Sequence, residues 1–211
     1  MTTFQGIPAG AFEFYSELEQ NNNRQWWQEH EEDYRALVRE PLAALLAGLE
    51  PRFGPGKIFR PYRDMRFARD GVPLKNAQGA FASVQEGVGY YIQISADGLL
   101  VGGGYHSNSP AQLARFRNSV DASGTGEALQ RVVDSLGSGG FALEGERLKT
   151  IPRGYPREHP RAELLKHKTL SARVELDRPE WLGTSAAMGK VGELWEQLRP
   201  LVEWVGRHAA P

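Results

Sequence analysis

Three short strand-like runs between residues 80 and 101 constrain the fold more than any other part of the chain. They cover residues 80–85, 90–95 and 99–101, and Ala96-Asp97-Gly98 between the last two is a hairpin signal. Gly87 and Gly89 mark a second tight turn. Because parallel strands need a much longer crossover, these connections predict antiparallel pairing.

Helical patterns flank these strands on both sides. The apolar spacing predicts helices over 8–20, 24–49 and 188–208. Asn23 is expected to cap the second of these helices, Pro41 to kink or divide it, and Pro200 to interrupt the last one. Shorter helices are predicted over 110–120, 126–136 and 162–168, and further strands over 141–150 and 170–176. The prediction is an α+β fold with a mostly antiparallel sheet packed against N-terminal and C-terminal helices.

The chain has 211 residues, a length typical of one domain, and we expect a single domain over 1–211 with its core at about 4–207. It has no cysteine, which excludes disulfides, thiolate metal sites and cysteine nucleophiles. Without signal-peptide character or a long apolar stretch, we expect a cytoplasmic protein with no membrane partner. No P-loop, dinucleotide fingerprint, nucleophile elbow or metal-binding motif occurs, so no cofactor and no metal is indicated.

Charge is strongly segregated, although the net charge is only −1. The first basic segment (residues 57–75) has six basic and two acidic side chains, and the second basic segment (residues 147–173) has eight basic and two acidic. The rest of the chain is therefore acidic. Two such segments on an acidic background favour a local positive field over a uniformly basic nucleic-acid binder.

The first basic segment contains the densest arginine cluster, and an extended conformation is predicted for residues 58–67. Alternation would then put Phe59, Met65 and Phe67 on the core face. The opposite face would present Arg60, Tyr62, Asp64 and Arg66, with Asp64 holding two guanidinium groups as a fork for an anion. The alternative is a structural ion-pair network. The candidate ligand-binding residues of this segment are Arg60, Tyr62, Arg63, Asp64, Arg66, Arg69 and Lys75.

The second basic segment interleaves aromatic and basic side chains in a proline-rich loop. Arg153, Tyr155 and Lys166 are candidates for stacking on a base or contacting a phosphate; the alternative is a solvated basic loop. His167 lies between two lysines, which favours its neutral form and makes it a weak candidate for a general base, as is Asp64.

Two other features have both a functional and a structural interpretation. Gly102-Gly103-Gly104 precedes a helix start at Ser109-Pro110, where His106, Ser107 and Asn108 could help to bind an anion; the alternative is a turn followed by an ordinary cap.

Neighbouring helical residues point about 100° apart, so Trp26 and Trp27 cannot both face one core. One of them could line a pocket or a homodimer contact.

Several of these motifs resemble a bacterial conserved-hypothetical family, domain of unknown function 2461, also found in some fungi. Its signature is similar to Arg60-x-x-Arg63-Asp64-x-Arg66-Phe67, followed by Asp70 and Pro73-Leu74-Lys75. Other similar stretches lie at 22–27, 102–104, 148–155 and 164–166. The resemblance covers residues 4–205 and implies the fold, but no reaction.

This chain departs from the family pattern at two positions. It has Gly71 where the family usually has lysine, and Leu74 where the family usually has tyrosine. If those groups contact a ligand in the family, this protein is expected to bind it more weakly or differently.

Three functions follow as hypotheses, and none establishes that the protein is an enzyme. The first is binding of an anionic small molecule, phosphorylated or carboxylated, through the arginine-rich site. The second is nucleic-acid binding through the same basic surface, which a sequence pI near 6.5 disfavours. The third is a protein-interaction module without catalysis, using the exposed part of the Trp26-Trp27 helix.

Overall fold

A computed structural model describes residues 4–64, 66, 71–105 and 109–209. The helices are α1 (Gly10–Gln20), α2 (Arg24–Asp33), α3 (Glu40–Phe53), α4 (Pro110–Asp121), α5 (Ser123–Ser138), α6 (Ala162–Leu165) and α7 (Ala186–His208). A π-helical segment (Tyr34–Arg39) joins α2 to α3, and a 3-10 helix covers Glu180–Gly183. The strands are β1 (Gly56–Ile58), β2 (Ala77–Gln85), β3 (Val88–Ser95), β4 (Gly98–Tyr105), β5 (Ala142–Glu144) and β6 (Leu170–Leu176).

The six strands form one antiparallel sheet in the order β1-β2-β3-β4-β6-β5. At one edge Gly56 of β1 lies opposite Ala82 of β2, and at the other Ala142 of β5 lies opposite Arg173 of β6. Consecutive hairpins build the middle of the sheet, as the short connections predict. The α+β class with a mostly antiparallel sheet is therefore confirmed.

Two compact units are distinguished within this fold. The first comprises residues 1–82, 91–101 and 175–193, and the second comprises residues 83–90, 102–174 and 194–211. Each unit includes parts of β2, β3, β4, β6 and α7, and each has its own buried side chains. The first basic segment belongs to the first unit and the second basic segment to the second.

In the first unit, the predicted long helix over 24–49 is three consecutive helical segments. The Asn23 side chain accepts a hydrogen bond from the Trp26 N–H, so the predicted cap is present. The predicted break at Pro41 is replaced by the π-helical turn immediately before it. Pro41 has no N–H to donate to the preceding turn, and it sits in the first turn of α3, where that donor is not needed.

In the second unit, the expected glycine loop before α4 is part of a strand. Gly102, Gly103 and Gly104 are buried in β4. A Cβ on Gly104 would lie 2.3 Å from the Leu170 carbonyl oxygen, and one on Gly103 would lie 3.1 Å from a methyl of Val202. These glycines let β4 approach β6 and α7 closely, so they do not form a ligand loop.

The predicted interruption of the last helix near Pro200 is also absent, because α7 continues through it. In the second unit this helix buries Trp195, Leu198 and Val202, and Trp195 packs against Tyr90 of β3 at a ring distance of 5.4 Å. The Trp204 indole donates to the Thr125 carbonyl at 2.9 Å. Packing on the sheet keeps the helix in place despite the missing backbone donor.

Candidate functional site

Backbone hydrogen bonds hold residues 59–63 of the first basic segment against the residues that precede and begin β2. The Phe59 N–H donates to the Gly79 carbonyl at 3.0 Å, and Tyr62 lies opposite Leu74 in an antiparallel bridge. The Lys75 N–H donates to the Pro61 carbonyl at 2.8 Å. The predicted extended conformation therefore holds for this part of the segment, although regular strand structure ends at Ile58.

Neutral side chains provide a second set of ties. Gln78 is 1% exposed, and its amide oxygen accepts from the Tyr34 hydroxyl at 2.6 Å. Its amide nitrogen donates to the carbonyls of Phe59 and Gly79, each at 2.8 Å. Burial raises the pKa of Tyr34, which keeps its hydroxyl a donor. The buried Gln78 amide therefore links the π-helical segment to the extended residues that follow Ile58.

The start of α2 is joined to the same segment. The Trp27 indole donates to the Tyr62 hydroxyl at 3.0 Å, and the two rings meet edge to face with centroids 5.8 Å apart. The Asn22 side chain accepts from the Leu74 N–H and donates to the Leu74 carbonyl, both at 3.1 Å. These contacts join the 22–27 stretch to the first basic segment.

Between these elements lies a cleft of about 730 Å³, which we call the basic cleft. Its size is within the range of small-molecule sites. The lining is mainly basic and aromatic. Its basic side chains are Arg35, Arg39, Lys57, Arg60 and Lys75, and its aromatic rings are Trp27, Tyr34, Phe59 and Tyr62. Glu31, Ile58 and Pro61 complete it. All of them belong to the first unit.

The cations of the basic cleft differ in what they contact. The side chains of Arg39, Lys57 and Arg60 are exposed, and none of these side chains makes a hydrogen bond or salt bridge with any residue in the described part of the chain. Lys75 lies 5.8 Å from the centroid of the Phe59 ring, a cation–π contact. Arg35 is paired with Glu32 and lies 3.5 Å from Glu40. Three cations are thus available to an incoming anion.

The π-helical segment supplies three of the lining residues, Tyr34, Arg35 and Arg39, none of which the sequence analysis selected. On a regular α-helix, residues five apart point about 140° away from each other. A π-helical turn contains more residues, so Arg39, five residues after Tyr34, points closer to the direction of Tyr34. The available signal in the sequence was two arginines four residues apart, but nothing in it marks a π-helical turn.

Asp64 behaves only partly as predicted. It accepts two hydrogen bonds from the Arg66 guanidinium, at 2.9 and 2.6 Å, and these lower the pKa of the Asp64 carboxyl. Arg60 adds a weaker electrostatic effect on the same carboxyl, without a hydrogen bond. The expected fork of two guanidinium groups is therefore one bidentate pair, formed between residues two apart. Neither Asp64 nor Arg66 lines the basic cleft.

The remaining candidates of the first basic segment have other positions. Arg63 is half-buried, and its N–H donates to the Pro73 carbonyl at 2.9 Å. Arg69 lies outside the described residues, as do Met65 and Phe67, which were expected to face the core. Gly71 has a positive φ of 70° and open space around its Cα, whereas Leu74 is buried.

Four cations of the second basic segment form ion pairs with carboxylates inside the segment or just before it. Arg147 and Lys166 both contact Glu163, at 2.5 Å each, and Arg173 contacts Glu144 at 2.9 Å. Lys168 is paired with Glu146. The candidate Lys166 is therefore already bound to a carboxylate.

Arg161, in the same segment, has a structural role. It is 9% exposed, and its guanidinium donates to the carbonyls of Val120 and Asp121 at 2.6 and 2.7 Å, which caps the end of α4. Gly126 makes room for it, because a Cβ there would lie 2.5 Å from the Arg161 Nε. His159 bridges the Arg161 N–H at 3.0 Å and the Asp121 carboxylate at 3.1 Å.

His167 is buried, with 2% of its surface exposed, and its Nδ1 donates to the Thr169 carbonyl at 3.1 Å. Burial is the main cause that lowers the pKa of His167, and the nearby Arg147 adds to it. The predicted neutral form is thus favoured mainly by burial and not by the flanking lysines. Arg153 is exposed and Tyr155 is half-buried, with its ring 6.4 Å from that of His159.

The helix start at α4 uses its polar groups internally. Ser109 accepts from the Gln112 N–H at 3.2 Å, and the Gln112 side chain caps the Ser109 N–H. His106, Ser107 and Asn108 lie outside the described residues. The two tryptophans are also engaged, since Trp27 is buried and Trp26 stacks on His30 at 4.1 Å.

Neither a cluster of metal-binding side chains nor a membrane-spanning helix occurs among the described residues. Across 4–64, 66, 71–105 and 109–209, no group of three or more histidine, aspartate or glutamate side chains could hold a metal ion. No helix in those ranges has both the length and the apolar character needed to cross a membrane.

Comparison with known proteins gives one match. A family model described as "Conserved hypothetical protein (DUF2461)" matches residues 10–204. The comparisons with curated proteins and with solved structures found no match.

Proposed function

The chain belongs to the conserved hypothetical protein family DUF2461, whose description names no activity, and we propose from the site itself that it binds a phosphorylated or carboxylated small molecule in the basic cleft. The observation that carries the proposal is the state of Arg39, Lys57 and Arg60. These three cations border a ligand-sized cleft and make no ion pair within the described ranges. The proposal is a binding function and assigns no reaction to it.

Electrostatics favours this occupant. Like charges on one wall repel each other, and clefts lined by one sign of charge raise the local concentration of the opposite ion. Arg39 and Arg60 can each give two parallel N–H donors to a phosphate or carboxylate, whereas Lys57 acts as a compact point charge. The walls are fixed by Gln78 and Trp27, so the ordering cost of binding falls mainly on the three exposed cations.

A small molecule fits this cleft better than a nucleic-acid strand does. The outer surface of α2 beside the cleft is acidic, since Glu29, Glu31, Glu32 and Asp33 are all exposed there. A strand leaving the cleft over this surface would meet all four acidic side chains, whereas a ligand contained within the cleft would meet only Glu31, beside five basic side chains. Nucleic-acid binding therefore remains the second hypothesis and an outcome of the test.

The interaction-module hypothesis loses part of its motivation. It rests on an exposed tryptophan of α2, but Trp27 is buried and bonded to Tyr62. Trp26 is covered partly by His30 and by Phe14, whose ring centroid lies 5.3 Å away. We therefore do not propose a homodimer. We propose that the binding function operates in the bacterial cytoplasm, in keeping with the sequence-based expectation.

The test is a thermal-shift titration with pyrophosphate, tripolyphosphate and citrate. A ligand at 100 times its Kd adds about 2.7 kcal/mol of stability, which for a chain of this size raises the Tm by about 5–10 °C. We expect Arg39→Gln and Arg60→Gln each to weaken binding at least about 10-fold. Arg131→Gln is the matched control, because it removes an exposed arginine of α5.

The other outcomes are equally informative. Equal weakening by Arg131→Gln would mean that only net charge matters, and the cleft would not be the site. Weakening by Arg153→Gln would bring the second basic segment into the site. No shift with any anion would refute the proposal, and a shift only with oligonucleotides that salt abolishes would favour the nucleic-acid hypothesis.

A further inference from the structure

One aromatic ring of the basic cleft is unusually exposed. Tyr62 leaves 46% of its surface exposed, and among the described residues the only other large hydrophobic side chain with such exposure is Val84. Trp27, by contrast, is 4% exposed and Tyr34 is 5% exposed. Phe59 already carries Lys75 near its ring. Tyr62 is therefore the ring in this cleft with the most free surface.

Tyr62 is also held in position. Its hydroxyl accepts the Trp27 indole N–H at 3.0 Å, and its backbone pairs with Leu74. The edge of the Trp27 ring supports it, with an interplanar angle of 65°. An exposed ring that is fixed by a hydrogen bond loses little entropy when a planar group stacks on it. The Tyr62 ring is therefore both exposed and held in place, which suits it to stack on a planar group of a ligand.

We propose that the ligand of the basic cleft is a nucleoside 5′-phosphate, with its base stacked on Tyr62 and its phosphate bound by Arg39, Lys57 and Arg60. This inference rests on the proposed function and names its substrate class. A simple inorganic anion or a sugar phosphate would use the cations but would leave the Tyr62 ring in water. A ligand that combines a planar ring with a phosphate uses both, because every base has a face that stacks on an aromatic side chain.

Volume and charge agree with a free nucleotide. About 730 Å³ is ample for a base, a ribose and one or more phosphates. Three available cations match the two or more negative charges of a phosphate ester better than the single charge of a monocarboxylate. The acidic surface of α2 disfavours a longer polymer in the same place.

The experiment compares nucleotides with ligands that lack either the base or the phosphate. Calorimetric titrations use AMP, UMP, ribose 5-phosphate and adenosine on the full chain. We expect AMP and UMP to bind about 5- to 150-fold more tightly than ribose 5-phosphate, the range found for stacking of one base. Adenosine should bind more weakly than AMP, because it lacks the phosphate.

Two variants assign the difference to the Tyr62 ring. Tyr62→Leu should bring the affinity for AMP down to that for ribose 5-phosphate, while the affinity for ribose 5-phosphate stays the same. Tyr62→Phe keeps the ring and loses only the hydroxyl that accepts from Trp27, so it should retain most of the base preference. Tyr155→Leu, in the second unit, is the matched control and should change neither affinity.

The failures of the two proposals are distinguishable. If ribose 5-phosphate binds the wild-type protein as tightly as AMP, the nucleotide inference is overturned while anion binding stands. If neither AMP nor ribose 5-phosphate nor pyrophosphate binds, both are overturned. If a short oligonucleotide binds more tightly than AMP at 150 mM salt, the free-nucleotide assignment is overturned. The wild-type comparison decides the question even if Tyr62→Leu does not fold.

Discussion

The two basic segments have similar charge, but their cations have different surroundings. In the first segment Lys57 and Arg60 line the basic cleft, and their side chains form no ion pair in the described structure. Neutral side chains such as Gln78 hold the backbone there. In the second segment five of the eight cations make such ties themselves, whereas Lys149, Arg153 and Arg157 are exposed. Arg161 caps α4, and Lys166 and Lys168 are bound to carboxylates.

This difference teaches that a cluster of cations indicates a binding site only where other groups supply the structure around it. The polar ties around the basic cleft come from an amide, an indole and a hydroxyl, which leaves the Arg60 guanidinium and the Lys57 ammonium available. At the end of α4, by contrast, a cation of the second segment supplies the ties, because the Arg161 guanidinium donates to the Val120 and Asp121 carbonyls. Each prediction below tests this division of roles.

The largest effect is expected for Arg161→Met in the second segment. The substitution keeps the apolar stem but removes the donors to the Val120 and Asp121 carbonyls. Hydrogen bonds from charged groups and unsatisfied buried carbonyls are worth 1–3 kcal/mol each, so we expect a loss of about 2–4 kcal/mol in the free energy of unfolding. Urea denaturation measures this.

The control for that substitution is Arg60→Met in the first segment, which should change the free energy of unfolding by no more than about 0.5 kcal/mol. Arg161→Lys should recover only part of the loss, because lysine lacks the planar fork that reaches both carbonyls. Equal costs for Arg60→Met and Arg161→Met would contradict the proposed difference between the segments.

The next effect belongs to the neutral support of the first segment. Gln78→Leu leaves the Tyr34 hydroxyl and the Phe59 carbonyl without their partner in a buried position. We expect a loss of about 2–3 kcal/mol in the free energy of unfolding, and weaker anion binding because the cleft wall is less well fixed. Gln28→Leu, at an exposed position of α2, should change neither quantity.

Much of the fold could be predicted because its signals are local. Short glycine turns specify the hairpins of β2, β3 and β4, and apolar spacing specifies α1 and α7. The errors arose where a tertiary contact overrides a local signal. Gly102–Gly104 look like a loop until β6 and α7 are placed against them, and the break expected at Pro200 is prevented by packing.

The candidate site could be predicted only in part for the same reason. Arg60, Tyr62 and Lys75 were selected from charge and alternation, and all three line the basic cleft. Arg35 and Arg39 were missed, because their direction depends on a π-helical turn that has no sequence signature. The selection of Lys166 ignored Glu163, three residues before it, whose carboxylate was visible in the sequence as a partner.

A smaller effect depends on pH and on His167 in the second segment. Burial lowers the pKa of His167 below its ordinary value of about 6.5. Below that pH the histidine is therefore protonated in the unfolded chain more readily than in the folded protein. Stability is therefore retained above that pH and lost as the pH falls through the lowered pKa. His167→Gln should reduce the loss measured between pH 8 and pH 5.5.

The comparison at pH 8 serves as the control for this prediction, because there the histidine is neutral in both states and the difference reports only packing. A loss between pH 8 and pH 5.5 that is identical in both proteins would mean that His167 does not contribute to acid sensitivity. His208 is a second candidate, because burial and Arg207 lower its pKa as well.

The smallest effect compares one lysine from each segment. Lys168 contacts Glu146, but the two side chains are 33% and 64% exposed, so Lys168→Gln should cost only about 0–1 kcal/mol. Lys57 has no such partner in the described ranges and lies among Arg39, Arg60 and Lys75, so Lys57→Gln should relieve repulsion and leave stability unchanged or slightly higher. Urea midpoints at 20 mM and 500 mM salt measure both changes. We expect the two stability changes to have opposite signs at low salt and to approach zero at high salt, because salt screens both the paired and the unpaired charge. Equal signs at low salt would show that the two lysines have the same electrostatic role.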